Sequence, residues 1–362
     1  MLSPQDFRRL RDSLADPEKQ KLDDIFKKQL NVQRDIIDQN ILRDREHLRL
    51  VNFCIRPFQY NETLYVETGY LFIRVEPFFG SATKNFDVLI FNQSSKVMLL
   101  VECKSSVSDA EREVRELVQC SEAADSRSRH LEELVGDAIN IKETVICTNA
   151  AYASRIKSCI TANDLPICLW SADQTSGILL LEKQGQDVNA EISRGRLHHD
   201  GKLTRLLLDG VRSEGIRSLT FLPSSHPCTI LEETITLLGL SLESSNRDRF
   251  RLPDLTSLLN RESSLSNFGD QELWNLAQHL LNVGVEVQIF TDLTPTVDDL
   301  GRKEFSISTR PGGLARMARE VRKKYTDFHA RRIAEENSVT EFQKIVSRMY
   351  KKLEEYSQKV RS

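Results

Sequence analysis

Several absences narrow this sequence of 362 residues before any motif is considered. It contains no apolar run of about eighteen residues, the length a membrane helix needs. The opening MLSPQDFRRL has no apolar core of the kind a secretion signal carries. A soluble, cytoplasmic protein is therefore expected. There is no CxxC pair: the seven cysteines (54, 103, 120, 147, 159, 168 and 228) are scattered, mostly within apolar stretches such as LLVECK, TVICTN and PICLW. That pattern reads as reduced, buried thiols, not as a disulfide framework or a zinc ribbon. No glycine-rich phosphate loop and no GxGxxG occur, so nucleotide hydrolysis has no support. Repeats and low-complexity segments are absent as well.

What is present is ordinary for a globular chain: 40% hydrophobic and 28% charged residues, long enough for two or three modules. The net charge of −3 hides an asymmetry. From Gly301 to Ser362 there are 16 basic and 8 acidic residues, a net of +8, which leaves −11 for the remainder. A basic end of this kind suits nucleic acid or a solvated helical surface.

The hydrophobic period changes along the chain. Residues 1–52 form a helical arm, with apolar positions at Leu22, Ile25, Ile37, Ile41, Leu48 and Val51. Three strands follow, in LYVETGYLFIRVEPFF, NFDVLIF and VMLLVECK. A helix begins at the Ser108–Glu111 capping box, and ETVICTN, AYASRIKSCITAN and LPICLWSAD then read as strand, helix and strand. This is an α/β unit, a mixed sheet flanked by helices, over 53–175. Residues 176–226 read as a linker. Three helices and two short strands over 227–310 have the outline of a winged helix, or of a plain helical accessory domain. Residues 311–362 read as a basic helical hairpin or coiled coil. It is broken at Pro311-Gly312-Gly313 and at Asn337-Ser338, and a seam runs through Phe342, Val346, Met349, Leu353, Tyr356 and Val360.

Chemistry is concentrated in FDVLIFNQSSKVMLLVECKSS, residues 86–106. Strand alternation puts Glu102 and Lys104 on one face and Leu99, Val101 and Cys103 on the other. A loop centred on Ser94-Ser95, two or four residues long, sets Asp87 directly across from Glu102. Carboxylates opposed at roughly 5 Å repel each other unless a cation lies between them. Hard oxygen donors suit Mg²⁺ or Mn²⁺, and a lysine one step along adds positive charge for a phosphate in reaction. A plain hairpin with one solvent face is the competing account, and VMLLVECK is too apolar on both faces for it.

Asp87, a gap of fourteen residues and Glu102-Cys103-Lys104 together resemble the PD-(D/E)XK nuclease superfamily, which includes type II restriction endonucleases and archaeal Holliday junction resolvases. The resemblance covers about residues 40–175, and Phe86 stands where the motif has proline. It implies an αβββαβ core, metal ligands at Asp87 and Glu102, a further ligand in the backbone carbonyl of Cys103, and Lys104 as the catalytic lysine. It also implies an acid on the first core helix, for which Glu46 is the candidate and Glu67 and Glu76 are rivals. Gln119 matches a glutamine some members place near the site, here without the tyrosine that often follows it.

The function so implied is Mg²⁺- or Mn²⁺-dependent cleavage of DNA by a homodimer, in restriction or antiviral defence. Junction resolution or repair is the second role. A core that kept the fold and lost catalysis, as a nucleic-acid-binding or interaction module, is the alternative of another class. Arg316, Arg319, Arg322, Lys323 and Lys324 are the candidate contacts to the DNA backbone. The adjacent His198 and His199 are expected to face solvent, and Asp200-Gly201-Lys202 repeats the acid-x-lysine spacing in a loop.

Overall fold

The chain was analysed as a computed structural model that describes residues 4–78, 85–213, 222–262, 268–307 and 314–361. It is an α/β protein built on one mixed sheet of seven strands, in the order β1 (Tyr70–Val75), β2 (Val88–Asn92), β3 (Val97–Lys104), β4 (Ile141–Asn149), β5 (Ile167–Asp173), β6 (Ile178–Leu181) and β7 (Val211–Arg212). The β3–β4 and β4–β5 pairs are parallel and the other four are antiparallel. Parallel neighbours need crossovers. These are the helices α4 (Ala110–Asp125) and α5 (Ser128–Val135) before β4, and α6 (Ala150–Ala162) before β5.

Both faces of the sheet are covered, so the central strands are apolar on both sides. Val88, Ile90, Leu99, Val101 and Cys103 pack toward the long helix α2 (Asp16–Ile55) and the C-terminal helices. Leu89, Phe91, Met98 and Leu100 pack toward α4, α5 and α6. Strand alternation thus places Glu102 and Lys104 on the α4 side.

Local chemistry departs from the sequence expectation in four places. LYVET is not strand but the short helix α3 (Thr63–Thr68), closed by Gly69 at φ 78°, a left-handed C-terminus that favours glycine. The helix after β3 is capped by Asp109, whose side chain accepts from the Arg112 N–H, one residue later than the Ser108 capping box. The sheet does not close at Asp173. The Asp173 carboxylate accepts from the N–H groups of Thr175 and Ser176, Gly177 turns at φ 72°, and β6 and β7 extend the sheet through part of the expected linker. That region also carries α7 (Val188–Ser193) and α8 (Gly201–Asp209).

The fourth departure is at the C-terminus. Over 227–307 run α9 (Pro227–Ser244), α10 (Leu252–Glu262), α11 (Asp270–Glu286) and the antiparallel pair β8 (Phe290–Asp292) and β9 (Phe305–Ile307). Phe250, between α9 and α10, bridges to Phe305. The last element is one helix, α12 (Leu314–Arg361), with no break at Asn337-Ser338. Ser338 donates to the Ala334 carbonyl inside the helix, 2.5 Å away, instead of capping a new one. Its partner is α2, antiparallel to it: Arg322 and Thr326 reach Asp38, Asp327 pairs with Arg34, and Glu341 accepts from Gln29. Val339, Phe342 and Val346 pack on Phe7, Leu22 and Phe26. The side chains of the rest of the seam, from Met349 on, are outside what is described, and Pro311-Gly312-Gly313 lie outside the described residues. Among the described residues, no helix is long and apolar enough to cross a membrane.

His198 overturns the expectation of solvent exposure, being fully buried. Trp170, which can only donate, gives its indole N–H to Nε2 (2.9 Å). The proton of His198 therefore sits on Nδ1 and is donated to Glu143 Oε2 (2.5 Å). The other Glu143 oxygen accepts from the backbone N–H of His199 at 2.9 Å. Asp200, in the acid-x-lysine decoy, caps α8. Burial opposes ionisation of Glu143, but these hydrogen bonds outweigh it and hold the carboxyl below its usual range. Glu143→Ala leaves the buried imidazole N–H unpaired, and is expected to cost about 3 kcal/mol, read as a lower urea midpoint at unchanged slope. Because the pKa is depressed, the Glu143 contribution is present above the ordinary glutamate pKa and is lost as pH falls through the folded value.

Candidate active site

Asp87, Glu102 and Lys104 meet because of the β2–β3 hairpin. Val88 pairs with Val101 and Asn92 with Val97, the register expected of a four-residue loop over 93–96. Asn92 shapes that loop by accepting from the N–H groups of Ser94 and Ser95. Carried one residue further, the register sets Asp87 opposite Glu102. Asp87 stands just ahead of β2 and is tied to β3 twice: its N–H donates to Val101 O (3.1 Å), and its Oδ2 accepts from the Cys103 N–H (2.7 Å). Cys103 thus touches the site through its amide.

Lys104 Nζ lies 2.9 Å from Glu102 Oε1 and 3.0 Å from Glu113 Oε2. Burial disfavours its charge, but the two carboxylates outweigh burial and raise its pKa, so the ammonium persists at neutral pH. Glu113, in the first turn of α4, did not figure in the sequence reading. Burial would raise its pKa, yet Lys104 and Arg112 lower it overall. The signal for it was there: a capped helix directly after the lysine strand must return an early residue over that strand.

The upstream partner is His47, not its neighbour Glu46, which is exposed on α2. His47 Nε2 lies 3.2 Å from Asp87 Oδ1. Burial works against its charge, but Asp87 and Glu102 raise its pKa to about 9. The position was legible in one respect: His47 precedes the fully buried Val51 and Cys54 by four and seven residues, on the same helix face.

Of the rival acids, Glu67 is exposed and pairs with Lys202. Glu76 is buried at the end of β1, with φ 44°. Its N–H donates to Asp87 O (3.1 Å), and its carboxylate accepts from the N–H and hydroxyl of Ser224. Burial raises its pKa above the usual range against those hydrogen bonds, and Asp87 adds to the rise. Gln119 is exposed and lines a groove with Val118, Asn163 and Leu165, whose lining includes none of the three hairpin residues.

Glu102 is the pivot of the electrostatics. Burial first, and Asp87 second, push its carboxyl up to about 7, against the pull of Lys104. Its Oε2 is buried without a hydrogen-bond partner among the described residues. Counted as ionised, Asp87, Glu102 and Glu113 are matched by Lys104, imidazolium His47 and Arg112, which pairs with Glu113 at 3.2 Å, and buried Glu76 supplies a further negative charge when ionised. An open carboxylate oxygen and an all-oxygen donor set fit a hard divalent cation.

The basic run on α12 is divided. Arg322 and Lys324 are used internally, by Asp38 of α2 (3.1 Å) and by the Gln288 carbonyl just after α11 (2.8 Å). Arg316, Arg319 and Lys323 are exposed. Compared with known proteins, the chain matches no family model, no curated protein and no solved structure.

Proposed function

We propose that this chain is a divalent-metal-dependent deoxyribonuclease that hydrolyses phosphodiester bonds, a cytoplasmic enzyme of restriction or antiviral defence. The observation that carries the reading is the meeting of Asp87, Glu102 and Lys104 on a hairpin between two buried sheet faces, with Glu102 Oε2 left open. Charged groups are expensive at such a position unless they have work to do. The resemblance of Asp87, Glu102 and Lys104 to the PD-(D/E)XK motif in residue type and spacing supports the reading.

Asp87 and Glu102 would hold Mg²⁺ or Mn²⁺, which when bound supplies Lewis-acid polarisation of the phosphate and of water. Lys104, aimed by Glu102 and Glu113, places a fixed ammonium where negative charge develops on the phosphate. The Cys103 amide orients Asp87. His47 keeps a positive charge against Asp87 and lowers the repulsion between the two acids. Cutting both strands of a duplex calls for two sites, and a symmetric homodimer provides them. Arg316, Arg319 and Lys323 are the exposed members of the basic run on α12 and would meet the DNA backbone.

The test is direct. The protein is incubated with supercoiled plasmid, linear duplex and four-way junctions, in Mg²⁺, Mn²⁺ or EDTA. Metal-dependent nicking or linearisation of plasmid is expected. Cleavage confined to junctions would replace the defence role by junction resolution. DNA binding with no cleavage in any metal would leave a binding module and end the enzyme reading.

A further inference from the structure

Behind the carboxylate cluster, on the opposite face of β3, lie three thiols. Cys54 comes from the last turn of α2, Cys103 from β3 and Cys147 from β4. Cys103 and Cys147 are direct partners in the parallel register. All three side chains are buried, and the three sulfurs lie within 4.8 Å of one another. We propose that they form a trithiol site for a trivalent metalloid, arsenic or antimony in the +3 state, in the core behind the catalytic strand.

Coordination number and charge choose this occupant. Soft thiolate donors select soft ions. A structural zinc site takes four ligands, and the cluster of described residues offers three. Charge weighs more. Three thiolates around Zn²⁺ leave a net charge of −1, and around univalent copper −2, in a dry core where an unpaired charge is costly. Around a trivalent centre the net charge is zero. The step balances without any redox partner. Three As–S bonds form and three As–OH bonds of arsenous acid break. The three thiol protons leave with the hydroxyl groups as three waters. Bond lengths near the ~2.3 Å of zinc thiolates put the sulfurs roughly 3.5–4 Å apart, within the observed spread.

The second group of ligand types in the core, Glu143, Cys168 and His198, differs. Its histidine and carboxylate are already satisfied by Trp170 and His199. Among the described residues, the hydrogen-bond partners of the three thiols are one another. The proposal does not depend on the nuclease reading, since it concerns binding and is measured without DNA.

Because the site is buried, loading is tested by refolding. The full chain is unfolded in urea and refolded with a phosphine reductant, with and without arsenite. Native mass spectrometry is expected to show one arsenic per chain, heavier by one arsenic atom less three hydrogens. X-ray absorption should show three sulfur neighbours at one distance. Occupancy should fall at least tenfold in Cys147→Ser and be unchanged in Cys168→Ser. No mass gain in the wild type, two sulfur neighbours instead of three, or undiminished loading of Cys147→Ser would each overturn the proposal. The sulfur count is taken on the wild type, so the proposal stays open to refutation even where a variant does not fold.

Discussion

Lys104→Met is expected to lower metal-dependent plasmid cleavage by about 10³-fold, the size of effect seen when one preorganised electrostatic group is removed from a transition state. Methionine keeps the length and apolar stem of the side chain, so packing on the α4 side is retained. What goes is the ammonium between Glu102 and Glu113, at 2.9 and 3.0 Å. Glu102, already pushed to about 7, loses its main cationic neighbour, and its pKa should rise further. It then takes up a proton near neutral pH and need not unfold the chain. The measurements are a cleavage rate from gel densitometry and a circular dichroism melt on the same preparation. Glu113→Gln separates the roles. Glu113 acts through Lys104 and not on substrate, so its loss should cost about tenfold and shift the pH profile, and the lysine itself should cost far more. Equal cleavage by wild type and Lys104→Met would remove the lysine from the mechanism.

The hairpin was the most legible part of this molecule, because its information is local. A strand period of two fixes which face each side chain leaves by, and the turn fixes which residues face each other. Asp87, Glu102 and Lys104 followed from those two rules alone. The residues that escaped are those placed by rotation or by distant packing. On α2, a step of one residue turns the side chain by about 100°, so Glu46 and His47 point to quite different surroundings. Glu113 depends on how α4 returns over β3, and Glu76, a rival candidate in the sequence, is fixed by the contact its carboxylate makes with Ser224, 148 residues away. The C-terminal helix shows the same limit from the other side. Asn337, Ser338 and Glu341 spell a cap, but the apolar stripe they interrupt lies along α2, and burying it continuously outweighs a local signal of about 1 kcal/mol. LYVET, short and apolar, fits strand or helix equally until Gly69 ends it.

Glu102→Gln should produce a combination that no purely structural carboxylate gives: loss of about 10³-fold in cleavage together with a gain in stability at pH 8. The side chain is held away from water and faces Asp87, which raises its pKa from 4.5 to about 7. The sign follows from linkage. A raised folded-state pKa means that the favourable contribution is fully present below the unfolded value and is lost as pH rises through about 7. At pH 8 the wild type therefore carries an ionised Glu102 at a cost of about 3 kcal/mol, at 1.36 kcal/mol for each pKa unit. Glutamine reproduces the protonated form, with nearly the same shape and an oxygen that still accepts from Lys104. The urea midpoint of Glu102→Gln should accordingly exceed that of the wild type at pH 8 and do so by much less at pH 5, the gap closing below 4.5. Mg²⁺ adds the complementary half: it should raise the wild-type midpoint at pH 8, less so at pH 5 where a proton competes, and leave Glu102→Gln unmoved at both. A variant less stable than the wild type at both pH values would make Glu102 a structural partner of Lys104, and the open carboxylate oxygen at this site would need another explanation.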